Sequence, residues 1–564
     1  MSTETATHIL TEPANPGQLK EKEMARKDLF RSQSSTPPPA TTRNAAGGRA
    51  YQTSNEIALA MLACTGTFND TYYTSGKNQL DLILNLANKC SPEWVARVAI
   101  YARTNGLMKD APVLLVTYLF SLKSDQGRAA FQAAFPRVVN NVGQLRNFIQ
   151  MLRSGVTGRK SLGTVGKKVI SQMLNSMDPS RIFWQAYGAN PSFADVLSLA
   201  RVRPADAEHD ALFGYFLGKS YDFDALPENI QQFEKFKRGD TEEVPHVPFL
   251  RLTSLNLNAD QWKQVARIMS WNQLRMNLNK LGREGVFSDQ AMVKYVADKL
   301  RNEKAILGGS ALPFAVYNTY LNLDASLSLP MHIRNAVVDA VEISAKSAPA
   351  LPGETLVLVD CSGSMQSPIT GYRRGATSTM TCNMAASFFA ASLLKANPDH
   401  VKVLSYDTKV YEPRHNARDS VTSLASKIGT FGGGTDCGVG IRWALAYGAK
   451  WDNIIMISDN ESWMNSTRWN SRVRSGYSWG RNGGGWSPTQ DSTTTAQAWT
   501  TYRRRRRGAK LYCIDIQPSV TVQTPDDHSV LNVSGISDAV FKVVAQRAET
   551  GNNWHNVIGS IALD

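Results

Sequence analysis

The chain has 564 residues, of which 42% are apolar and 20% charged, and its formal net charge is +14. It is long enough for two or more domains whose cores need no covalent staples, and the excess of bases invites a polyanionic partner. No apolar run nears the roughly 20 residues of a bilayer span. The six cysteines are scattered without metal-like spacing, and the opening Met1–His8 lacks a signal peptide's basic and apolar regions, so a cytoplasmic protein with reduced thiols and no membrane contact is expected.

Residues 1–48 are rich in Ser, Thr, Pro and Ala. Such a composition does not repay chain entropy by burial, and a disordered tail is expected there. From 49 to 345, segments of helical period alternate with short polar turns: Glu56–Cys64, Gln79–Ala87, Glu93–Arg103, Val113–Leu122, Gln261–Met269 and Gln290–Leu300. Paired helices of similar length predict a HEAT-like array in which each pair buries its face on the next.

Within that array, residues 126–177 carry Arg128, Arg137, Arg146, Arg153, Arg159, Lys160, Lys167 and Lys168 and no acid. A segment of one sign repels itself unless an anion lies against it. Arg159, Lys160, Lys167 and Lys168 surround a turn with Gly155, Gly158, Gly163 and Gly166, where backbone N–H groups approach phosphate closely. The eight bases are the candidate RNA-binding residues. Phe193, further on, suits either a stack on a base or the core.

Ser347–Gly353 reads as a linker, after which strand–loop–helix alternation begins. Leu356–Val359 is a buried parallel strand that delivers Asp360, Ser362 and Ser364 to its carboxyl end, where open α/β sheets bind ligands. One carboxylate and two hydroxyls are hard oxygen donors, which suits Mg²⁺ or another divalent cation at the same place. Gly432-Gly-Gly-Thr-Asp436 follows as a second loop, and a second apolar strand, Ile454–Ile457, ends in Ser458-Asp459-Asn460-Glu461.

Strand–DxSxS, a glycine loop with threonine and then strand–Asp resembles the metal-ion-dependent adhesion site of von Willebrand factor A domains. Gly433-Gly-Thr-Asp-Cys437 with Asp459-Asn-Glu-Ser-Trp463 narrows the resemblance to the Ro RNA-binding autoantigen family, the TROVE proteins. Pro525-Asp-Asp527 with Leu531 and Gly535 is similar to the end of that domain. Tyr101–Arg103, Gly106–Pro112, Leu274–Leu281, and Asn302–Lys304 ahead of Leu312–Phe314 resemble the family's helical repeats, in its order.

The resemblance implies an α-helical HEAT-like repeat ring (49–345) plus an α/β doubly wound von Willebrand factor A domain (354–564). It also implies a Mg²⁺ site of Asp360, Ser362, Ser364, Thr435 and Asp459, whose open position takes a protein partner such as a nuclease or ligase. The family's basic helix binds small Y RNAs and misfolded RNA, whose single-stranded ends thread the ring, and Lys167 and Lys168 fall on it. The bases here run together as Gly-Lys-Lys, unlike the family's spaced pattern, and Phe193 stands where relatives often carry a histidine. The chain is expected to be a monomer.

A basic insertion at about 465–510 departs from the family's short loop. It holds Arg468, Trp469, Arg472, Arg474, Trp479, Arg481 and Trp486 and ends in Arg503, Arg504, Arg505, Arg506 and Arg507. Residues 354–564 carry a net +5, which becomes −4 without the insertion's +9. Interleaved Arg and Trp suit single-stranded RNA; equally, the aromatics pin a structured loop and the arginines are a solvated helix end.

Three function classes compete. An RNA-binding ribonucleoprotein scaffold is favoured by the acid-free segment and the extent of the resemblance. A Mg²⁺-dependent protein-adhesion module without a specific RNA role would need only the A domain. A hydrolase finds no G-x-S-x-G, P-loop or H-E-x-x-H, and no enzyme activity is expected.

Overall fold

The computed structural model describes residues 37–65, 68–308, 313–373, 377–414, 416, 418–429, 432–463, 492–535, 540, 543–544 and 554–563. Residues 1–36 of the expected tail lie outside this set. Residues 37–48 do not behave as that tail. Thr42–Arg43 (β1) and Arg49–Gln52 (β2) pair antiparallel, and β2 pairs in turn with Thr521–Val522 (β8). Partners far along the chain supply the order that local composition lacks.

The array begins with Asn55–Thr65 (α1), Gly76–Lys89 (α2), Pro92–Thr104 (α3), Asp110–Ser121 (α4), Asp125–Val138 (α5), Val142–Ser154 (α6) and Gly163–Asn175 (α7). Local signals fix several ends. The Ser75 and Ser91 hydroxyls accept from the N–H groups of Asn78 and Trp94, and Pro92 occupies the first turn of α3. Gly155 ends α6 in the left-handed region, at φ 77°. Phe193–Ala200 (α8) starts with a reciprocal Ser192–Asp195 capping box. Further helices lead to Pro313–Leu321 (α9) and Met331–Ala345 (α10).

Beyond the linker, Thr355–Asp360 (β3), Val401–Tyr406 (β4), Asn453–Ser458 (β6), Lys510–Asp515 (β7) and Val530–Ser534 (β9) form parallel pairs. Val410–Tyr411 (β5) is an antiparallel edge, giving the order β5-β4-β3-β6-β7-β9. Helices Cys382–Ala396 (α11), Val421–Ile428 (α12), Val439–Ala446 (α13) and Thr494–Arg505 (α14) cover the two faces. Every residue of β3 and β6 is buried, as a doubly covered sheet requires.

Side chains alternate between two cores. Leu356 and Leu358 join Trp451, Trp499 and Tyr502 on one face. Val357 and Val359 face the other way, into a core that runs on through the helical array. The A domain is therefore joined to the helices by shared apolar packing. It touches both ends of the array, α1 against β9, and α9 and α10 against α11 and α12, which closes the array into a ring. Trp554–Gly559 (α15) returns to α3, where His555 stacks on Trp94 at 4.3 Å and Arg97 donates to the Ile561 carbonyl at 3.0 Å.

Candidate functional site

Parallel register sets β3 beside β6, with Val359 opposite Ile457, so the residues that follow emerge together at the sheet's carboxyl edge. There the Ser458 hydroxyl donates to Asp360 Oδ2 at 2.6 Å, and the Ser362 N–H donates to Asp360 Oδ1 at 2.8 Å. Chain reversal through the 3₁₀ turn Gly363–Gln366 brings the Ser362 and Ser364 hydroxyls within 3.4 Å of each other. The glycine loop lies across this turn. Gly432 N–H donates to the Cys361 carbonyl at 2.9 Å and Gly363 N–H to the Gly433 carbonyl at 3.2 Å. Gly432 has to be glycine, because a Cβ there would stand 2.1 Å from Asp407 Oδ2.

The five residues expected at the site, Asp360, Ser362, Ser364, Thr435 and Asp459, are all buried. Asp459 Oδ2 has no hydrogen-bond partner. A buried carboxylate oxygen left unpaired is costly unless something outside the chain meets it. Among the described residues no group of three His, Cys, Asp or Glu side chains is arranged around a metal; the oxygens here come from two carboxylates and three hydroxyls. This hard, mostly neutral set fits a cation that retains water, with Asp459 Oδ2 as the oxygen in need of it.

Four carboxyls crowd this edge, all buried: Asp360, Asp459, Glu461 and Asp515. Burial raises the pKa of Asp360, and the charge of Asp459 adds to it. Burial likewise raises Asp459, against a hydrogen bond from Ser364. Glu461 is pushed up to about 7, chiefly by burial, and Asp515 well above its ordinary range for the same reason. The edge stores unfavourable negative charge that a cation would relieve.

Two segments from outside the A domain complete it. Tyr73, ahead of α2, hydrogen-bonds Ser364, and its phenol is raised by burial and then by Asp459. Its loop is fastened by the Asn69 amide to the Thr370 carbonyl at 2.8 Å and by Tyr372 N–H to the Asp70 carbonyl at 2.6 Å. The β1–β2 turn holds the other side, with Ala46 N–H on Glu461 Oε2 at 3.2 Å. Ser458 and Glu461 could have been found beside Asp459. Tyr73 and Ala46 carry no local signal.

The basic segment divides by what its bases touch. Arg137 donates to the Ala562 carbonyl at 2.6 Å. Arg146 holds the carbonyls of Tyr187, Ala189 and Pro191. Arg159 bonds the carbonyls of Phe120, Ser161 and Leu162 and lies 3.9 Å over the Phe120 ring. These three guanidinium groups bind the chain's own backbone. Arg128 meets Asp125 at 3.3 Å on the surface, and Arg153 lies near Asp195. Lys160, Lys167 and Lys168 have no hydrogen bond or ion pair among the described residues, and Lys160 and Lys168 are exposed. Phe193 is in the core, edge-on to Phe216 at 4.8 Å.

Of the insertion, Arg468, Trp469, Arg472, Arg474, Trp479, Arg481 and Trp486 lie outside the described residues. Its C-terminal part is α14 and the start of β7. Arg503 pairs with Asp527 at 3.2 Å and Arg506 with Asp452 at 2.6 Å, Arg505 donates to the Leu445 carbonyl at 3.3 Å, and Arg504 and Arg507 are exposed.

Comparison with known proteins agrees with this architecture. Residues 354–473 match the family model described as the Ro60 vWA domain. Over 453 residues, 75% of this chain and 83% of the relative, it is 23% identical to the RNA-binding protein RO60 of Deinococcus radiodurans. The crystal structure of the Deinococcus radiodurans RO (RSR) protein superposes with a TM-score of 0.59 at 19% identity, covering 88% of this chain and all of that one.

Proposed function

We propose, taking as premise that the chain belongs to the Ro family, that it is an RNA-binding ribonucleoprotein scaffold and not an enzyme. The observation that carries this reading is the set of three unpaired lysines, Lys160, Lys167 and Lys168, in a stretch of 52 residues without an acid. Lysine ammonium groups without partners are point charges for phosphate and discriminate little between sequences. The name of the RO60 relative supports RNA as the polyanion. In finer detail, the ligands are small Y-like non-coding RNAs and the single-stranded ends of misfolded RNAs, bound at the basic surface by Lys160, Lys167, Lys168, Arg153 and Arg128. The protein acts in the cytoplasm as a monomer, and its domains divide near 345–354.

Mg²⁺ or another divalent cation would be held by Asp360, Ser362, Ser364, Thr435 and Asp459. When bound it supplies an open coordination position for a carboxylate of a protein partner, such as a nuclease or ligase. Asp360 and Asp459 would balance its charge, and the Ser362, Ser364 and Thr435 hydroxyls would orient towards it. The β1–β2 turn and the Tyr73 loop exclude bulk water from the edge.

The test is crosslinking of the purified chain to total RNA, with sequencing of what is bound, beside a Lys167→Glu/Lys168→Glu variant. Recovery of structured RNAs with single-stranded ends, absent in the variant, supports the reading. Equal recovery by both proteins would overturn the assignment of this surface.

A further inference from the structure

A cavity of about 380 Å³ opens between the end of α4, the middle of α5 and the first turn of α7. Its size is at the lower end of the roughly 300–1,000 Å³ typical of small-ligand sites. The wall is aromatic and the rim cationic. Phe120 and Phe131 are buried, with ring centroids 4.9 Å apart, and Val165 stands at the mouth with half its surface exposed. Arg159 is locked flat on Phe120. Lys123, Arg128 and the amide of Gln132 complete the lining.

We infer that this cavity takes one unpaired nucleobase of a single-stranded RNA, with the neighbouring phosphates on Lys123 and Arg128. The inference rests on the RNA-binding reading and deepens it. Three observations point the same way. First, an aromatic wall rewards a flat π-system, which a phosphate or an acidic side chain alone would leave unused. Second, the Gln132 side chain has no intramolecular partner among the described residues, and a primary amide donates and accepts as a base edge requires. Third, the rim charges are available. Lys123 makes no ion pair among the described residues, while Arg128 pairs only with an Asp125 side chain that is 96% exposed, and surface pairs of that kind hold weakly. Lys168 lies three residues beyond Val165 on α7, on the same helix face, so a strand that leaves a base in the cavity runs onto the unpaired lysines.

The experiment compares binding of a short single-stranded RNA with that of an abasic oligomer of equal length at matched salt. The native chain is expected to prefer the base-bearing strand by roughly 5- to 150-fold, the range of one stacked base. Val165→Trp fills the mouth without changing charge and is expected to reduce that preference to near unity while abasic binding is retained. Gln132→Leu, at an exposed position, is expected to weaken the preference in part and guards against misfolding of the first variant; thermal melts check both folds. If Val165→Trp is folded and the preference persists, the cavity is not a base site, and the RNA-binding reading still stands or falls on Lys167→Glu/Lys168→Glu. If neither oligomer binds the native chain, that reading fails and the inference with it. If an aspartate-rich peptide of equal charge competes as well as RNA, and only when Val165 is present, the occupant is a peptide and the inference is overturned.

Discussion

The Asn44 side-chain amide donates to the Ser462 carbonyl at 2.8 Å, across 418 positions of sequence. Its own Oδ1 accepts from Gly48 N–H at 2.7 Å, so one buried side chain both shapes the β1–β2 turn and fixes it to the loop behind Asp459. Ring closure and the shape of the cation edge thus share a residue.

Asn44→Ala is expected to remove both bonds and strand a buried carbonyl, at a cost on the order of 1–3 kcal/mol. Urea unfolding measures the loss, and proteolysis of the turn should quicken. Unchanged stability would mean that the hairpin does not hold the edge.

Arg146→Ala should act on stability and leave the RNA surface intact. Three backbone carbonyls between Tyr187 and Pro191 lose a charged donor, and a hydrogen bond to a charged group contributes about 1.5–3 kcal/mol. Lys167→Glu/Lys168→Glu should do the reverse, sparing stability while lowering the salt slope of RNA binding by roughly 0.7–0.9 for each phosphate no longer neutralised. Filter binding at several salt concentrations separates the two behaviours.

Glu461 provides the pH signature. Its folded pKa, about 7, lies above the ordinary 4.5, so the folded state holds this proton more tightly than the unfolded one. The stabilisation is complete below pH 4.5 and is lost as pH rises through 7. Glu461→Gln keeps an oxygen for the Ala46 N–H and is expected to flatten the fall in melting temperature across that window in metal-free protein. An identical slope in the variant would assign the dependence to the neighbouring carboxyls.

Asp360→Asn is expected to abolish Mg²⁺ binding by calorimetry and to leave RNA affinity within about twofold, because the basic surface lies on other elements. Collapse of RNA binding in a folded variant would link the two sites directly.

The apolar runs at Leu356–Val359 and Ile454–Ile457 were legible because a doubly covered strand needs side chains of one kind on both faces. The order of the loops after them located Asp360, Ser362, Ser364 and Asp459, which the fold brings together with Thr435. The β1–β2 hairpin was not legible. Its strands are two and four residues long and gain order only from Thr521–Val522. The sign of charge in 126–177 was plain, but its use was not. Nothing local distinguishes Arg146, which holds a loop, from Lys168, which faces solvent. Tyr73 reaches Ser364 only through tertiary packing that no spacing foretells.

The pairing of β2 with β8 also sets a clock during synthesis. Gln52 meets Val520 across 468 positions, an interval of roughly 25–95 s at a ribosome's 5–20 residues per second. Through that time β2 has one ladder edge without a partner, and such edges pair with whatever strand comes near. A chain terminated before residue 521 keeps that edge for good, so premature stops in the last tenth of the gene should yield proteins that adhere to one another.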